Sequence, residues 1–250
     1  TNVGSTANVA SGNAVIVNGV GTNVTSNYIV SYEKGTLTIR PVEVDVTVNG
    51  SMTYGEDKNT INLSWTTNVT SELEQILIRE LNITYKNGDT EITDFKNLVV
   101  GTYQIIIERT TDNFVVNFNA ENSKLTVNKR NVTITVGNYI GEYDGADHTA
   151  SWELTSGSWA EGDTPTITTT TINEVGNKIS TVTSFVVKDG ETDVSGCYNY
   201  TVVTGNMSVS SKNITITTDS NQKVYDGTAL TDDGWTISSG TLVSGHTATV

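Results

Sequence analysis

The sequence is poor in cysteine, proline and histidine, and each shortage excludes a class of protein. The 250 residues include one cysteine, Cys197, so no disulfide can form within the chain. The only prolines are Pro41 and Pro165, which excludes a proline-rich linker. Two histidines, His148 and His246, have neither the spacing of a metal site nor that of a base paired with a nucleophile. A disulfide-stapled scaffold and a histidine-based enzyme are therefore both disfavoured.

Positive charge and long apolar runs are also lacking. Lysine and arginine number 14 against 28 aspartates and glutamates, which gives a net charge of −14. Nucleic acids and anionic lipids both attract basic surfaces, so neither is expected as a partner. No apolar run has the length that a membrane-spanning helix needs, so we expect no membrane insertion within these residues.

The abundant residues are threonine, asparagine, valine, serine and glycine, and they predict strands. β-Branched residues alternate with threonine or asparagine, which is typical of half-buried strands. Glycine-containing turns at 31–35 and 85–89 separate such runs. The pattern predicts an all-β protein of small antiparallel, sandwich-like domains arranged as a rod. Immunoglobulin-like and β-grasp-like domains both fit this spacing of strands.

One segment departs from the β pattern and predicts a short helix near 71–81. Its apolar residues recur at helical spacing: Leu73, Ile76, Leu77 and Leu81. Ser71 and Glu74 have the spacing of a capping box, which predicts the start of the helix.

A three-residue motif occurs three times, each time after an alternating strand. Its copies are Tyr54-Gly55-Glu56, Tyr143-Asp144-Gly145 and Tyr225-Asp226-Gly227. The tyrosines are spaced by 89 and then 82 residues, which indicates a tandem array. Tryptophans follow each motif at similar distances: Trp65, Trp152 and Trp235.

The recurring motifs divide the chain into four parts. We predict complete repeats at 42–130 and 131–212, the back half of a repeat at 1–41 and the front half of another at 213–250. Asn27-Tyr28 is matched with Asn199-Tyr200 for this purpose. Two explanations stay open. Either these residues are cut from a longer array, or the front half of one molecule completes the back half of the next in a filament.

The order of the motifs resembles two families of tandem domains. The Tyr-Asp-Gly units at 131–212 and 213–250 are similar to the YDG repeat domain, and 1–41 resembles the back half of that domain through Asn27-Tyr28 and the closing strand at 35–39. The Tyr-Gly-Glu unit at 42–130 resembles the MBG domain of the YGX type. This resemblance implies a place in large bacterial secreted or surface-anchored, adhesin-like proteins. It implies no catalytic residues.

The motif residues suit a structural role. Asp-Gly favours a tight turn, because glycine accepts positive φ and aspartate bonds to the turn backbone. The tyrosine is expected to pack under the turn, with its hydroxyl on a backbone carbonyl. The recurrent tryptophans are expected to fill the core, or alternatively to form a sugar-binding platform. Trp159 has no tryptophan counterpart: it is either a buried replacement for the leucine at the matching position, Leu242, or the candidate for an exposed contact.

Candidate sites for chemistry are few. Asp144, Asp147 and His148 resemble an acid–base pair, although a solvated turn is the simpler interpretation. The Asp232-Asp233 pair and segment 189–193 could bind Ca²⁺ weakly, but they lack the ligand alternation of a calcium loop. We predict no catalytic, cofactor-binding or metal-ligating residue.

The functional expectation is a non-enzymatic, extracellular repeat protein of the bacterial cell surface. Its repeats would serve as the spacer or stalk of an adhesin fibre, with neighbouring repeats as their main partners and host glycans or proteins contacted elsewhere. A self-assembling filament or surface-layer subunit is one alternative, in which copies bind head to tail. Carbohydrate-binding modules of a secreted enzyme are another, suggested by the tryptophans.

Overall fold

The computed structural model describes residues 2–250, and it is mostly β structure, with 49% strand, 7% helical residues and one α-helix. The β-rich prediction is therefore confirmed. None of the helices in this range is long and apolar enough to cross a membrane.

The chain forms two compact units. The first comprises 2–52, 58–95 and 101–127, and the second comprises 53–57, 96–100 and 128–250. The loops 53–57 and 96–100 thus belong to the second unit. The predicted boundaries of the repeats stay a prediction.

The first unit contains nine strands. The last residues of two of them, Thr53 and Asn128, belong to the second unit. They are β1 (Gly4–Asn8), β2 (Gly35–Ile39), β3 (Val42–Thr53), β4 (Asn62–Thr67), β5 (Leu81–Asn87), β6 (Thr90–Glu91), β7 (Gly101–Arg109), β8 (Phe114–Phe118) and β9 (Lys124–Asn128). Helix α1 spans Ser71–Arg79, and two 3-10 helices span Thr25–Asn27 and Lys58–Thr60. Strands β1 and β2 form a separate antiparallel pair. The others form one seven-stranded sheet in the order β4-β3-β9-β7-β5-β6, with β8 parallel to β3.

The alternation in β3 explains how this sheet is built. Val44, Val46 and Val48 are at most 1% exposed, whereas Glu43 and Asp45 between them are exposed. Successive side chains of a strand point to opposite faces, so the valines lie together on the core face.

Helix α1 confirms the predicted helix, although it ends at Arg79 and Leu81 begins β5. The predicted capping box is wrong. Thr70 is the N-cap and its side chain makes no capping bond. The Glu74 carboxylate instead accepts a hydrogen bond from the Thr67 hydroxyl at 2.7 Å. The capping box predicts that the Glu74 side chain bonds to the backbone at the start of the helix. Its carboxylate bonds instead to Thr67, the last residue of β4.

The second unit contains thirteen strands. They are β10 (Arg130–Val136), β11 (Tyr139–Glu142), β12 (His148–Thr149), β13 (Trp152–Ser156), β14 (Asp163–Thr169), β15 (Thr171–Ile172), β16 (Gly176–Ser180), β17 (Val182–Asp189), β18 (Thr192–Asp193), β19 (Tyr198–Val203), β20 (Gly205–Ser210), β21 (Thr215–Thr218) and β22 (Trp235–Ser239). A 3-10 helix spans Ser195–Cys197. The sheets have the orders β13-β10-β19, β11-β20-β16, β14-β17-β18, β12-β15 and β21-β22.

Two of these sheets are mixed, because β10 pairs with β19 and β11 with β20 in parallel, whereas the other pairs are antiparallel. The core of the second unit has two apolar clusters, one around Ile134 and Val136 and one around Ile172 and Met207. Cys197 is 6% exposed and unpaired.

The antiparallel pair β10–β13 has a counterpart in 213–250. Strands β10 and β13 and strands β21 and β22 pair in the same register, with a shift after Thr133 in one and after Thr215 in the other. The following glycines, Gly157 and Gly240, have φ of +81° and +78°. The two hairpins are therefore equivalent in backbone geometry as well as in sequence.

The antiparallel pair β16–β20 has a counterpart in 2–41 in the same way. Strands β1 and β2 pair over five residues, as β16 and β20 do. In the 3-10 turns, Thr25 and Ser195 hydroxyl oxygens accept the N–H groups of Ile16 and Val187 at 2.7 and 2.9 Å.

These turns correct one predicted match. The residue after each 3-10 helix, Tyr28 or Tyr198, donates its N–H to the first residue of that helix. Tyr28 is therefore the counterpart of Tyr198, and the predicted match with Tyr200 is wrong by two residues. The side-chain bonds of the turn, rather than the Asn-Tyr dipeptide, define the equivalent position.

Candidate functional site

The three motif turns share one backbone conformation. Gly55, Gly145 and Gly227 have φ of +81°, +78° and +81°, a region that favours glycine. Asp144 accepts the N–H of Ala146 at 2.9 Å, and Asp226 accepts that of Thr228 at 3.0 Å. Each aspartate thus bonds to the backbone two residues on, as in an Asx turn.

The three motif tyrosines have different surroundings. Tyr54 is 2% exposed and Tyr225 is 93% exposed. Tyr143 is half-buried and packs against the cluster around Ile172. The expected bond to a backbone carbonyl is wrong for Tyr54, because its hydroxyl donates to the Asp163 carboxylate instead. The exposure of each motif tyrosine therefore depends on which other residues of the chain pack against its turn.

Tyr54, Asp163 and Tyr198 form a group in the second unit, with both tyrosines buried and the aspartate half-buried, which we term the tyrosine–aspartate cluster. The Tyr54 hydroxyl donates to Oδ1 of Asp163 at 3.3 Å, and the Tyr198 hydroxyl donates to Oδ2 at 2.6 Å. The two rings meet edge to face with centroids 5.7 Å apart. The Tyr198 oxygen also accepts the N–H of Ala160 at 2.8 Å. One carboxylate therefore holds two tyrosines from distant parts of the chain.

Segment 53–57, which contains Tyr54, also makes backbone contacts with other parts of the second unit. Arg130 donates from Nε to the carbonyl of Tyr54 at 2.9 Å, and from Nη1 to the Ser158 hydroxyl at 2.8 Å. A Cβ at Gly55 would lie 2.4 Å from the Cβ of Ala160. Only glycine permits so close an approach, so the motif glycine serves packing as well as the turn.

The motif turn at Gly145 packs against Val243, the residue equivalent to Ala160. A Cβ at Gly145 would lie 2.7 Å from Cγ1 of Val243, which follows Ala160 by 83 residues. The rings of Tyr143 and His246 are 5.9 Å apart. His246 follows Asp163 by the same 83 residues. The packing of the turn is thus repeated, with an imidazole in place of the carboxylate.

The pKa values of both cluster tyrosines lie well above the ordinary range. Burial raises the pKa of Tyr54 most, and the negative charge of Asp163 adds to it. For Tyr198 burial is again the largest cause, and the hydrogen bond from Ala160 opposes it.

These shifts predict a loss of stability in alkali. A tyrosine with a raised pKa in the folded state keeps its proton when the unfolded chain loses it, above about pH 10. The contribution of these two tyrosines to the free energy of unfolding should therefore be fully present below that pH and be lost as pH rises further. Urea titrations at several pH values would measure it. The Tyr54→Phe, Tyr198→Phe double variant should show a shallower decline, and an equal slope would contradict this origin.

All four tryptophans are half-buried. Trp65, Trp152 and Trp235 lie opposite Val48, Val136 and Thr218 in their hairpins. Trp152 and Trp159 pack against the core cluster of the second unit. Trp159, the candidate for an exposed contact, also meets the ring of Tyr198 at 5.3 Å. Its indole is therefore part of the packing around the tyrosine–aspartate cluster.

The residues considered for chemistry lie in loops and two-residue strands. Nε2 of His148 is 2.9 Å from Asp144, and the imidazole stacks on Tyr139 with centroids 4.4 Å apart. Donation from the Ala146 N–H, and then from His148, lowers the pKa of Asp144. Asp193 and Asp232, considered for weak Ca²⁺ binding, accept hydrogen bonds within their own turns. Across residues 2–250 no group of three acidic, histidine or cysteine side chains is placed to hold a metal ion.

The recurring motif identified Tyr54, but no local pattern identified Asp163, Tyr198 or Arg130 as its partners. The only signals were the basic residue before β10 and an aspartate directly after Gly162. Neither indicates a contact with residue 54, which is 109 positions away from Asp163.

Comparison with known proteins assigns this chain to no family. No protein-family model matches this chain, and no curated protein shows significant similarity to it.

Proposed function

We propose that this chain consists of tandem β-repeats that act as a spacer or stalk in an extracellular, adhesin-like bacterial surface protein. The main support is that two of the motif turns, at Gly55 and at Gly145, pack against residues at equivalent positions of the chain. Gly55 approaches Ala160, and Gly145 approaches Val243 at the equivalent position. Recurrent packing without a catalytic group is typical of repeat architectures, in which each repeat contacts its neighbours.

The connections between repeats support the same proposal. Only Lys129 separates β9 from β10, and four residues separate β20 from β21. Links this short permit little bending, so the repeats would follow one another in a rod. The high negative charge would keep a crowded array of such rods soluble and apart.

Small-angle X-ray scattering tests this architecture on the 250-residue chain, at dilutions where sedimentation reports a monomer. A compact globule of this length would have a radius of gyration of about 18 Å. The stalk proposal predicts a clearly larger radius and an extended distance distribution. A radius near the compact value would contradict it.

A further inference from the structure

The chain contains three Asn-Gly dipeptides, and the structure places them in three different surroundings. They are Asn18-Gly19, Asn49-Gly50 and Asn87-Gly88. An asparagine followed by glycine can lose ammonia when the glycine nitrogen attacks its side chain, because glycine has no Cβ to hinder the approach. The nitrogen must reach Cγ of the asparagine, so the local backbone decides which of the three sites reacts.

Two of these dipeptides occupy equivalent turns, and a third copy of the turn carries aspartate. A backbone hydrogen bond of 2.7 to 2.9 Å closes each turn and aligns the three copies: Val24 to Ile16, Ile92 to Tyr85 and Val194 to Val187. Two positions after the accepting carbonyl lie Asn18, Asn87 and Asp189, each followed by glycine. The residue that deamidation would produce is therefore already present in one copy.

The turn at Asn18 is one residue longer than the other two, and it closes on the asparagine side chain. Gly21 has φ of +82° and donates its N–H to the Asn18 carbonyl at 2.9 Å. Oδ1 of Asn18 accepts the N–H of Val20 at 3.2 Å and that of Thr22 at 2.9 Å. Two backbone N–H groups thus point at the oxygen of the amide that would react.

The turn at Asn87 lacks this arrangement. Asn87 pairs with Thr90 across a two-residue turn, in which Gly88 has φ of +60°. Within residues 2–250, no group donates a hydrogen bond to the Asn87 side chain. The same dipeptide at an equivalent position therefore lacks the two donors.

Asn49 is held in a strand. Its Oδ1 accepts one N–H, from Lys124 at 3.3 Å. Asn49 and Gly50 lie inside β3, which has β4 on one side and β9 on the other. Moving the Gly50 nitrogen toward the Asn49 side chain would break the pairing of this strand, so the sheet protects the site.

We propose that Asn18 is a site of spontaneous deamidation and that its own turn accelerates the reaction. The Gly19 nitrogen gives its proton to a base in the solvent and attacks Cγ of Asn18, which places negative charge on Oδ1. The N–H groups of Val20 and Thr22 stabilise this charge, as the donors of an oxyanion hole do. The bond from Cγ to Nδ2 then breaks, Nδ2 takes a proton from water, and ammonia leaves behind a five-membered imide.

Water completes the reaction by opening the imide. Attack on Cγ gives aspartate, and attack on the main-chain carbonyl carbon of residue 18 gives isoaspartate, in which the chain runs through the side-chain carbonyl. Water is consumed and ammonia released, with no oxidation or reduction, and the turn gains one negative charge. Asn18 and Gly19 are exposed, so water reaches the site. Asp189 shows that the turn accommodates the aspartate product.

Peptide mapping by mass spectrometry tests the proposal on the 250-residue chain, sampled over time at mildly alkaline pH. In the folded chain Asn18 should react about tenfold faster than Asn87, since it has two donors to the developing charge and both sites are exposed. Asn49 should react more slowly than either. In urea the three rates should converge, because the dipeptide is the same and the turns are lost.

Two outcomes would overturn the proposal. Equal rates at Asn18 and Asn87 in the folded chain would show that the donors have no effect. A lead of Asn18 that persists in urea would show that the neighbouring sequence, rather than the turn, sets the rate.

Deletion of Val20 isolates the contribution of the turn. It shortens the turn to the length found at Asn87 and removes one of the two donors. The rate at Asn18 should fall close to that at Asn87, which is unaltered and serves as the internal control. An unchanged rate at Asn18 would contradict acceleration by the turn.

Gly19→Ala tests the attacking nitrogen. Gly19 has no left-handed φ and no atom lies within 4 Å of its Cβ position, so the fold accepts alanine there. The added methyl group should slow the loss of ammonia from Asn18 and leave the rate at Asn87 unchanged. Loss of ammonia at the original rate, with aspartate as the sole product, would show direct hydrolysis by water and would refute attack by Gly19.

Discussion

Replacing Gly157 by alanine is expected to destabilise the second unit by about 3 kcal/mol or more, as the sum of left-handed strain and overpacking. The φ of Gly157 is +81°. Its added Cβ would lie 2.3 Å from the carbonyl oxygen of Asn131 and 3.1 Å from Cα of Val132. Both are backbone atoms of β10, which is paired on both sides and cannot move aside. Denaturant unfolding followed by tryptophan fluorescence would measure the loss.

Gly190→Ala is the matched control. Gly190 also has positive φ, +55°, but no atom lies within 4 Å of its Cβ position. Only the backbone strain of about 1–2 kcal/mol should remain. Equal losses in the two variants would show that contact with β10 is not what requires glycine at 157.

Replacing Asp163 by alanine is expected to cost about 3 kcal/mol, because it leaves two tyrosine hydroxyls without their acceptor. Tyr54 and Tyr198 are 2% and 3% exposed, so water cannot readily replace the carboxylate. Hydrogen exchange should show faster opening of segment 53–57, which this cluster attaches to the second unit. Unfolding in urea would give the change in free energy.

A double-mutant cycle separates the hydrogen bond from packing. Tyr54→Phe alone should cost about 1 kcal/mol, since it removes one neutral-to-charged hydrogen bond and leaves Asp163 bonded to Tyr198. In the Asp163→Ala background the same change should be neutral or stabilising, because it removes an orphaned hydroxyl. Additive losses would contradict coupling through the carboxylate.

Local sequence patterns predicted helices and strands correctly where the burial of one face of the element determines its structure. The spacing of Leu73, Ile76 and Leu77 predicted α1, and the alternation in β3 predicted a strand with buried valines. Periodicity works here because burial of a helix or strand face depends on residues a few positions apart.

Local patterns failed where two distant segments compete for one group. Glu74 fits a capping box, yet its carboxylate accepts from Thr67 on β4. Asn199-Tyr200 repeats the Asn27-Tyr28 dipeptide, yet the turn geometry makes Tyr198 the counterpart of Tyr28. A short identity between repeats can shift by one pleat, because residues two apart in a strand share the same face.

The sequence by itself determined that this chain is β-rich, acidic, nearly free of cysteine and marked by a recurring tyrosine-glycine motif, since composition and periodicity are properties of short stretches. Only the tertiary structure decided which motif tyrosine is buried, and it brought Tyr54 and Tyr198 onto the carboxylate of Asp163. It also decided which apolar strand faces are covered. The physical reason is the same in each case: burial and hydrogen-bond partners come from residues far apart in the chain, and no local pattern encodes them.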